Sequence, residues 1–284
     1  MDGKKNPEAL VILIHYRLAH GGGLERRLLI YMNWLHQQEY QVELWVAKAD
    51  PTISLPEGVK VRIIRPGIWP NPFRKWAFHQ KIKRALRGIS ADLILSLGRQ
   101  YSTQVVLDPG NHLAYMEGMG IRRPSIKDQL SLVMDQEIFQ NTPLILAASE
   151  YIRTYTIRLG AAPERVKVLH PPLDVSKFNH DLRKERAQLR AQKGFSSADH
   201  ISVFVSFSHK RKGLDVLLAA FRQMEDRFKL LIIGQSVSRS LPANVQSVGV
   251  QEDLPSWYTL ADLCVHPARM EPFGQVIAES LACG

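Results

Sequence analysis

The chain has 284 residues, of which 45% are hydrophobic and 23% are charged, so it is long enough for two globular domains with full cores. It shows no secretory signal and no apolar run that could span a bilayer, and its two scattered cysteines exclude a disulfide framework and favour a reducing cytoplasm. The net charge of +10 is uneven, with +8 in residues 1–172 and +2 in the remainder, so the basic half suits nucleic acid, an anionic membrane or a phosphorylated acceptor.

The first predicted unit is a strand, a glycine loop and a helix. Ala9–His15 is a continuous apolar run typical of a buried strand, Gly21-Gly22-Gly23 follows it, and a helical pattern runs from Leu24 to about Gln38. This order begins a doubly wound parallel sheet. The glycines allow a phosphate or a sugar to approach the backbone closely, but the loop lacks the spacing of a dinucleotide fingerprint or a P-loop. A plain glycine turn is therefore an equal alternative.

An aromatic and basic segment follows the second and third predicted strands, Gln41–Ala47 and Val59–Ile64. Between Ile68 and Arg87 it interleaves aromatic and cationic residues, on a helix predicted to follow Pro72. This composition suits an interfacial helix on an anionic membrane. The equal alternative is a surface helix that packs one apolar stripe on the sheet, whereas no recognition motif supports nucleic-acid binding.

A polar turn follows the next two predicted strands, Asp92–Leu97 and Gln104–Leu107. Ligands of an open parallel sheet bind beyond the carboxyl ends of its strands, so Asp108 and His112 in this turn are candidate binding residues. A neutral imidazole there can hydrogen-bond a sugar hydroxyl, although a single loop histidine is commonly incidental. The polar loop beyond the turn is predicted to bind acceptor phosphate through Arg122, Arg123 and Lys127.

A basic loop lies in the second half of the chain. After the strands Leu144–Ala148 and Val166–Leu169 and a charged helix with a linker at 179–199, a new sheet begins at Ile201–Val205. The loop Ser208–Gly213 then precedes a helix, Leu214–Met224. Its cations suit a diphosphate, which Arg binds as a bidentate fork and Lys as a point charge. A basic loop without a ligand is an equal alternative for this segment alone.

A helix start is predicted near the end of the chain. The strands Lys229–Gly234 and Val245–Val250 and the helix Leu254–Ala261 lead to a short buried strand and then to Glu271–Glu279. Proline is suited to the first helical turn, which places Pro272 there. The free N–H groups of such a start suit a phosphate, and they belong to Phe273, Gly274 and Gln275.

Two carboxylates frame this helix start. Glu271 precedes it, and Glu279 lies about two turns along it. Because carboxylates accept hydrogen bonds from hydroxyls, the pair suits a ligand with a sugar at one end and a ribose at the other. The alternative, which spacing alone leaves equally open, is an exposed amphipathic helix with incidental acids.

The run E-P-F-G-x-x-x-x-E at 271–279, preceded by A-D-x-x-x-x-P at 261–267, resembles the donor-site signature of family-4 retaining glycosyltransferases of the GT-B fold. The resemblance implies an α/β fold in which two doubly wound, Rossmann-like parallel-sheet domains face a cleft. It places an acceptor-side domain at 1–172 and a donor-nucleotide domain at 173–284. Family members continue beyond the point where this sequence ends, so the second domain is expected to be incomplete.

The same resemblance assigns roles to further residues. Gly22-Gly23-Leu24-Glu25-Arg26 matches a G-G-x-E-R element, and Arg211-Lys212-Gly213 matches the pair that contacts the donor diphosphate. Ser206-Phe207 stands where the family has glycine-arginine, so one cation is absent or is replaced by Arg211. Val250 is expected to meet the nucleotide base, and His112 to lie near the transferred sugar. His170–Asp174 departs from the family's interdomain element, and its two prolines stiffen that segment.

The expected function is therefore the transfer of a sugar, with retention, from a nucleotide diphosphate to a saccharide or lipid-linked acceptor. Uridine diphosphate is the favoured carrier, no metal or other cofactor is expected, and lipopolysaccharide core synthesis or another cell-surface glycan is the expected pathway. The catalytic residues are expected to be His112, Arg211, Lys212 and Glu271, with Glu279 on the ribose. A cytoplasmic location is expected, with peripheral binding to the inner face of the plasma membrane and no nucleic-acid partner. A non-catalytic nucleotide-sugar-binding or scaffold protein and a nucleic-acid binder are the alternatives.

Overall fold

The structure, a computed structural model, describes residues 8–20, 23–238 and 240–284. The chain divides into two compact units, Met1–Pro171 and Pro172–Gly284. Each unit contains an open parallel sheet with helices packed on both faces. The predicted α/β class with two doubly wound sheets is therefore confirmed.

The first unit alternates strands and helices. Its strands are Leu10–Ile14 (β1), Arg17–Leu18 (β2), Gln41–Val46 (β3), Lys48–Ala49 (β4), Lys60–Ile63 (β5), Leu93–Leu97 (β6), Val105–Asp108 (β7), Leu144–Ala147 (β8) and Val166–Val168 (β9). Its helices are Gly23–Gln37 (α1), Asn71–Ala85 (α2), His112–Gly118 (α3), Ile126–Asn141 (α4) and Glu150–Arg158 (α5), with a 3-10 helix at Pro163–Arg165. Seven strands form one sheet in the order β5-β3-β1-β6-β7-β8-β9, and β2 pairs with β4.

Strand β1 shows how this sheet is stabilised. Val11 and Leu13 face the cluster that includes the buried residues of α1, whereas Ile12 and Ile14 face the cluster that includes those of α2. Side chains alternate between the two faces of a strand, so a strand covered on both faces must be apolar at every position. This requirement explains the unbroken apolar run in the sequence.

The second unit repeats this architecture with fewer strands. Its strands are His200–Ser206 (β10), Phe228–Gly234 (β11), Val245–Gly249 (β12) and Leu263–Cys264 (β13), in the spatial order β12-β11-β10-β13. Its helices are Arg186–Gln192 (α6), His209–Lys212 (α7), Leu214–Phe221 (α8), Leu254–Leu260 (α9) and Gln275–Ala282 (α10), with a 3-10 helix at His180–Glu185. Val203 and Val205 pack with Trp257 of α9 on one face, while Phe204 packs with Leu218 of α8 on the other.

Three local predictions were wrong. His112 and Lys127 lie in helices rather than in a loop, because Asn111 caps α3 and Ser125 with Asp128 forms a capping box at the start of α4. Arg122 and Arg123 lie in the loop between these helices, as predicted. The strand β13 was predicted to be buried, but it lies at the edge of the sheet and Leu263 is 62% exposed.

The third wrong prediction concerns the last helix. Pro272 was placed in its first turn, but α10 begins at Gln275. Gly274 has φ +90°, a left-handed conformation that turns the chain and prevents the helix from extending back to Pro272.

Candidate functional site

The second sheet has a topological switch point between β10 and β13. Strands β11 and β12 lie on one side of β10, and β13 lies on the other. Ligands of open parallel sheets bind beyond the carboxyl ends of the strands at such a point. The segments that leave β10 and β13 carry three of the residues predicted to bind the donor, which are Arg211, Lys212 and Glu271.

The Glu271 carboxylate is surrounded by two cations and an imidazole. Its Oε2 atom lies 2.9 Å from His266 Nε2, 3.2 Å from Arg211 Nη1 and 3.8 Å from Lys212 Nζ. Arg211 Nη1 also donates a hydrogen bond to the carbonyl of Met270 at 2.7 Å. The structure therefore brings the three predicted residues together and adds His266 to them.

The electrostatics of this cluster favour the ionised carboxylate. Partial burial alone raises the pKa of Glu271, but the hydrogen bond from His266 and the charges of Lys212 and Arg211 outweigh it and lower the pKa to about 2. Burial lowers the pKa of Lys212, and the Glu271 charge opposes that shift. Because a carboxylate only accepts hydrogen bonds, the Nε2 atom of His266 carries the proton in its contact with Glu271.

Two features hold the loops of this cluster together. Gly213 has φ +80°, and a Cβ atom there would lie 2.1 Å from the carbonyl oxygen of Pro267, so a glycine is required for this close approach. The backbone N–H of Arg269 donates to the carbonyl of Arg211 at 2.9 Å. The Arg269 guanidinium forms a bidentate pair with Asp215, at 2.8 and 2.6 Å.

The start of α10 differs from the arrangement that was predicted for a phosphate. The carbonyl of Gly274 accepts hydrogen bonds from the N–H groups of Ile277 and Ala278, at 2.9 and 3.1 Å. The side chain of Gln275 donates from Nε2 to the carbonyl of Pro172 at 3.2 Å. Phe273 and Gly274 therefore precede the helix, and only Gln275 of the three predicted N–H donors lies within it.

Glu279 is inside α10 and is 3% exposed. Its Oε2 atom accepts a hydrogen bond from the Tyr258 hydroxyl at 3.1 Å. Burial and the neighbouring Glu279 charge raise the pKa of Tyr258, so this hydroxyl remains a donor at neutral pH. The contact with Tyr258 fixes the carboxylate, and the predicted role of Glu279 on a ribose stays a prediction.

Two other predicted ligand contacts, Val250 and Gly23, lie outside this cluster. Val250 directly follows β12 and is 65% exposed. Gly23 is the first residue of α1, and a Cβ atom there would meet nothing within 4 Å, so its surroundings are open. Gly22 lies outside the described residues.

His112 lies in the first unit, where it opens α3 beyond the carboxyl end of β7. Its Nε2 atom lies 2.8 Å from the Asp128 carboxylate, so Nε2 carries a proton and donates it. Burial lowers the pKa of His112, and the hydrogen bond to Asp128 opposes that shift. In the neutral ring, Nδ1 is then an acceptor, and it accepts no hydrogen bond from any described residue. This geometry is compatible with the predicted contact to a sugar hydroxyl.

Two buried carboxylates support the His112 segment. Asp135 of α4 is completely buried and accepts a hydrogen bond from the His112 N–H at 2.6 Å. Burial raises the pKa of Asp135 to about 7, although the charge of Arg99 and the His112 N–H act against it. Asp108 accepts from Thr156 Oγ1 at 2.7 Å, and its pKa is raised by burial. Asp108 therefore stabilises the turn rather than facing a ligand.

Residues 8–20, 23–238 and 240–284 contain no group of three or more His, Cys, Asp or Glu side chains placed to hold a metal ion. None of their helices combines the length and the apolar character that crossing a bilayer requires.

Comparison with known families gives two matches. Residues 21–177, more than half of the chain, match the profile described as Glycosyltransferase Family 4. The chain belongs to glycosyltransferase family 4. Residues 185–284 match a second profile, described as Glycosyl transferases group 1. The family predicted from the motif at 271–279 is therefore confirmed, whereas retention and the place in lipopolysaccharide core synthesis stay predictions.

Similar proteins share the whole architecture of the chain. It is 27% identical over 268 residues to a probable transglycosylase of Burkholderia thailandensis, covering 94% of this chain and 73% of that protein. The fold matches WaaG, a glycosyltransferase involved in lipopolysaccharide biosynthesis, with TM-score 0.82, 16% identity and coverage of 96% and 79%. It also matches Anabaena HepE solved with UDP-glucose, with TM-score 0.69, 16% identity and coverage of 96% and 78%.

Other relatives match over a shorter length. The D-inositol 3-phosphate glycosyltransferase of Segniliparus rotundus is 28% identical over 144 residues, which cover 44% of this chain and 31% of that enzyme. Because the structural matches are below 25% identity, they establish the fold of this family member but not its substrates.

Several residues of these sites were missed in the sequence of this family-4 chain. His266 and Arg269 lie close in sequence to Glu271, and that proximity was the available signal for both. Asp135 had no comparable signal, because an acid in a polar segment is expected to face solvent. Its role depends on contacts with Arg99, which follows β6, and with His112 of α3, and only the folded chain creates these contacts.

Proposed function

We propose that this protein transfers a sugar from a nucleotide diphosphate to a saccharide or lipid-linked acceptor, with retention of the anomeric configuration. The observation that carries this proposal is the cluster in which Arg211 and Lys212 converge on Glu271 at the switch point of the second sheet. Preorganised cations stabilise the charge that develops on a departing diphosphate, and this term is commonly the largest in catalysis.

The proposed reaction proceeds on one face of the sugar. The acceptor hydroxyl oxygen bonds to the anomeric carbon on the side from which the diphosphate leaves, the bond from that carbon to the phosphate oxygen breaks, and the hydroxyl proton passes to that oxygen. Arg211 and Lys212 neutralise the diphosphate, and His112 accepts a hydrogen bond from a hydroxyl of the donor sugar. Glu271 contacts sugar hydroxyls through Oε1, which accepts no hydrogen bond from any described residue.

The alternative of a double displacement needs a carboxylate nucleophile at the anomeric carbon. Glu271 is poorly suited to that role, because its Oε2 atom is held by His266, Arg211 and Lys212. A carboxylate whose pKa is lowered to about 2 is also weakly basic and therefore a weak nucleophile. The proposal therefore favours the same-face route.

The donor class is proposed to be a uridine diphosphate sugar, and the product a cell-surface glycan such as the lipopolysaccharide core. HepE, which has the same fold, was solved with UDP-glucose, and this supports the choice of carrier. WaaG, which is involved in lipopolysaccharide biosynthesis, supports the choice of pathway. No metal or other cofactor is included in the proposal.

Isothermal titration calorimetry with UDP-, GDP- and ADP-glucose tests the donor site. We expect UDP-glucose to bind, and Arg211→Gln and Lys212→Gln each to weaken binding about tenfold or more, because each removes a charge-assisted hydrogen bond. Arg222→Gln is the matched control, since Arg222 is an exposed arginine of the same unit. Equal affinities in Arg211→Gln and Arg222→Gln would contradict the assignment.

Product analysis tests the reaction. The chain is incubated with the nucleotide sugar that binds and with lipid-linked and free saccharide acceptors, and the product anomer is assigned by NMR. A product with the donor's anomeric configuration is expected. An inverted product would exclude the same-face route, and donor binding without turnover would favour a non-catalytic nucleotide-sugar-binding protein.

We also propose that the protein is cytoplasmic and binds the anionic inner face of the plasma membrane peripherally. The aromatic and basic surface consists of Arg65, Ile68, Trp69, Arg74 and Lys81. Ile68 is fully exposed and Trp69 is 44% exposed, next to the start of α2. Arg74 Nε donates to the Trp69 carbonyl and Lys81 Nζ to the Arg65 carbonyl, both at 2.8 Å, so both cations border the exposed apolar residues.

Co-sedimentation with phosphatidylcholine vesicles, with and without phosphatidylglycerol, tests this surface. We expect binding to the anionic vesicles only, with a loss of about fivefold for Arg74→Gln, which removes one cation. Trp69→Ala should also weaken binding, whereas Trp34→Ala should not, because Trp34, although 55% exposed, lies on α1 and is not part of this surface. Equal sedimentation of the two tryptophan variants would remove this surface from the proposal.

A further inference from the structure

A second group of cations lies at the switch point of the first sheet. The strand order reverses between β1 and β6, with β3 and β5 on one side and β7 to β9 on the other. Arg17 follows the carboxyl end of β1, and Arg99 follows that of β6. Ligands of an open parallel sheet bind at such a point, so these two residues lie where a ligand is expected.

Two helices add lysines to the same place. The Lys75 ammonium of α2 lies 5.7 Å from the ring centre of Tyr16, which is two residues beyond the end of β1. Lys127 of α4 directly precedes Asp128, whose carboxylate lies 2.8 Å from His112 beyond the carboxyl end of β7. Partial burial lowers the pKa of Lys75, and the charges of Arg99, Lys127 and Arg17 also lower it, so Lys75 is within electrostatic reach of these three cations. We call Arg17, Lys75, Arg99 and Lys127 the basic cluster.

The two lysines of the basic cluster lack a carboxylate partner. Glu25 pairs with Arg17 at 2.6 Å, and Asp135 lies 3.8 Å from Arg99. Within the part of the chain that the structure describes, no carboxylate oxygen lies within 4 Å of Lys75 or Lys127. The cluster therefore retains positive charge at neutral pH after its internal pairs are counted.

Buried polar atoms that make no hydrogen bond lie beside the basic cluster. In the described residues, Arg99 Nη1, Gln100 Oε1 and Asp135 Oδ1 are buried and make no hydrogen bond. Gln100 is 4% exposed, and Asp135 is completely buried. Most buried polar atoms in native proteins have a partner, so three such atoms around one arginine indicate a site that a polar ligand completes.

We propose that the basic cluster binds a phosphate group carried by the acceptor, with Arg99 as the donor of paired hydrogen bonds and Lys75 and Lys127 as counter-charges. A phosphate monoester has a charge of about −2 near neutral pH, which matches two lysines without carboxylate partners. The planar guanidinium suits phosphate oxygens, and the lysines act as point charges. This inference rests on the proposed function, because it names the acceptor class of that reaction.

Calorimetry on the full chain carrying Arg211→Gln and Lys212→Gln tests the inference. In this background the proposed donor-diphosphate residues are absent, so phosphate binding in the second unit does not contribute. The probes are glucose 6-phosphate, inorganic phosphate and glucose. We expect the two phosphates to bind saturably and glucose not to bind.

Substitutions in the basic cluster provide the decisive comparison. Lys75→Gln and Lys127→Gln should each weaken glucose 6-phosphate binding about tenfold, because each removes a charge-assisted contact. Lys75→Arg should retain binding. Lys60→Gln is the matched control, since Lys60 is exposed at the opposite, amino-terminal edge of the same sheet. Equal affinity in Lys75→Gln, Lys127→Gln and Lys60→Gln, or glucose binding as tight as that of its phosphate, would overturn the inference.

A vesicle titration distinguishes a phosphate on a soluble sugar from one on a lipid. Phosphatidylcholine vesicles with and without phosphatidic acid are titrated into the same variants. Binding to phosphatidic acid that Lys75→Gln abolishes indicates a lipid-linked acceptor, and binding of glucose 6-phosphate alone indicates a soluble one. The inference is overturned if neither phosphate probe responds to Lys75→Gln or Lys127→Gln. Failure of the proposed function is separate, because it appears as absence of nucleotide-sugar binding by the unsubstituted chain.

Discussion

Glu271 and Asp135 are two carboxylates near equivalent switch points of the two sheets, but their pKa values shift in opposite directions. Glu271 has two cations, Arg211 and Lys212, and the His266 imidazole within 4 Å of one oxygen, and its pKa falls to about 2. Asp135 has Arg99 at 3.8 Å and is completely buried, and its pKa rises to about 7. The number of close cations therefore decides whether desolvation is outweighed.

This difference indicates different tasks for the two sites. A permanently ionised Glu271 holds Arg211 and Lys212 in place until an anionic ligand competes for them. A carboxyl such as Asp135, with a pKa near neutrality, is only partly ionised there and repels an anion less than a full charge would, yet it still accepts the His112 N–H. The first site is thus organised by charge pairing, and the second by burial and hydrogen bonding.

The largest expected effect comes from forcing apart the loops that carry the Glu271 cluster. Gly213→Ala places a Cβ atom 2.1 Å from the Pro267 carbonyl oxygen in a left-handed backbone conformation. We expect a loss of about 4 kcal/mol in the free energy of unfolding, measured by urea denaturation, from strain and overpacking together.

Gly194→Ala is the control for this substitution. Gly194 has φ +76°, and an added Cβ would meet nothing within 4 Å, so only backbone strain of about 1–2 kcal/mol is expected. If both variants lost the same free energy of unfolding, the close approach of Pro267 to Gly213 would add nothing to the backbone strain.

Removing the charge of Glu271 tests the paired site directly. The folded pKa of about 2 lies below the ordinary 4.5, so the ionised carboxylate stabilises the fold above pH 4.5, and this contribution is lost as the pH falls towards 2. Glu271→Gln should therefore cost about 3 kcal/mol at neutral pH and progressively less below pH 4.5. Urea denaturation across this range measures the difference, and Glu225→Gln, at an exposed acid, should show no such pH dependence. A difference in the free energy of unfolding that does not change with pH would contradict the pairing of Glu271 with Arg211 and Lys212.

Neutralising Asp135 should change the free energy of unfolding in the opposite direction to Glu271→Gln. The folded pKa of about 7 exceeds the ordinary 3.8, so the fold loses stability as the pH rises from 3.8 to 7. Asp135→Asn keeps an oxygen for the His112 N–H and removes the buried charge. We expect the variant to be more stable than the natural chain by about 4 kcal/mol above pH 7, with the difference vanishing in acid. If the free energy of unfolding of the two proteins changed with pH in the same way, ionisation of Asp135 would not destabilise the fold.

The smallest effect is expected on the exposed rim of the Glu271 cluster. Arg269→Gln removes the bidentate pair with Asp215, which is 54% exposed. Exposed ion pairs contribute little and are screened by salt. The thermal midpoint should therefore fall slightly at low salt and coincide with that of the natural chain at high salt. A large, salt-independent decrease would mean that Arg269 is essential to the loop.

Much of the fold could be predicted because parallel strands covered on both faces form continuous apolar runs. Leu10–Ile14 and Leu93–Leu97 were located within two residues for this reason. The helix α4 was missed, because its polar and apolar residues do not divide into two simple faces. The capping box at Ser125 and Asp128 was the signal that could have predicted its start.

The candidate sites were harder to predict than the fold. Arg211, Lys212 and Glu271 followed from the family resemblance, and the fold brings them together. The basic cluster could not be found, because Arg17, Lys75, Arg99 and Lys127 are far apart in sequence and meet only through the sheet order. The start of α10 was misplaced because proline is favoured in a first turn, while the backbone of Gly274 determines the actual start.

Asp262, which directly precedes β13, accepts hydrogen bonds from Arg186 and Arg190 and from the N–H of Ile201 at 2.7 Å. One carboxylate thus links the helix α6 to the beginnings of two neighbouring strands. These three segments should open to solvent as one cooperative unit, so the amide of Ile201 should exchange its hydrogen only when α6 also detaches. The rate of proteolytic cleavage between α6 and β10 would then measure how rarely the three segments open together.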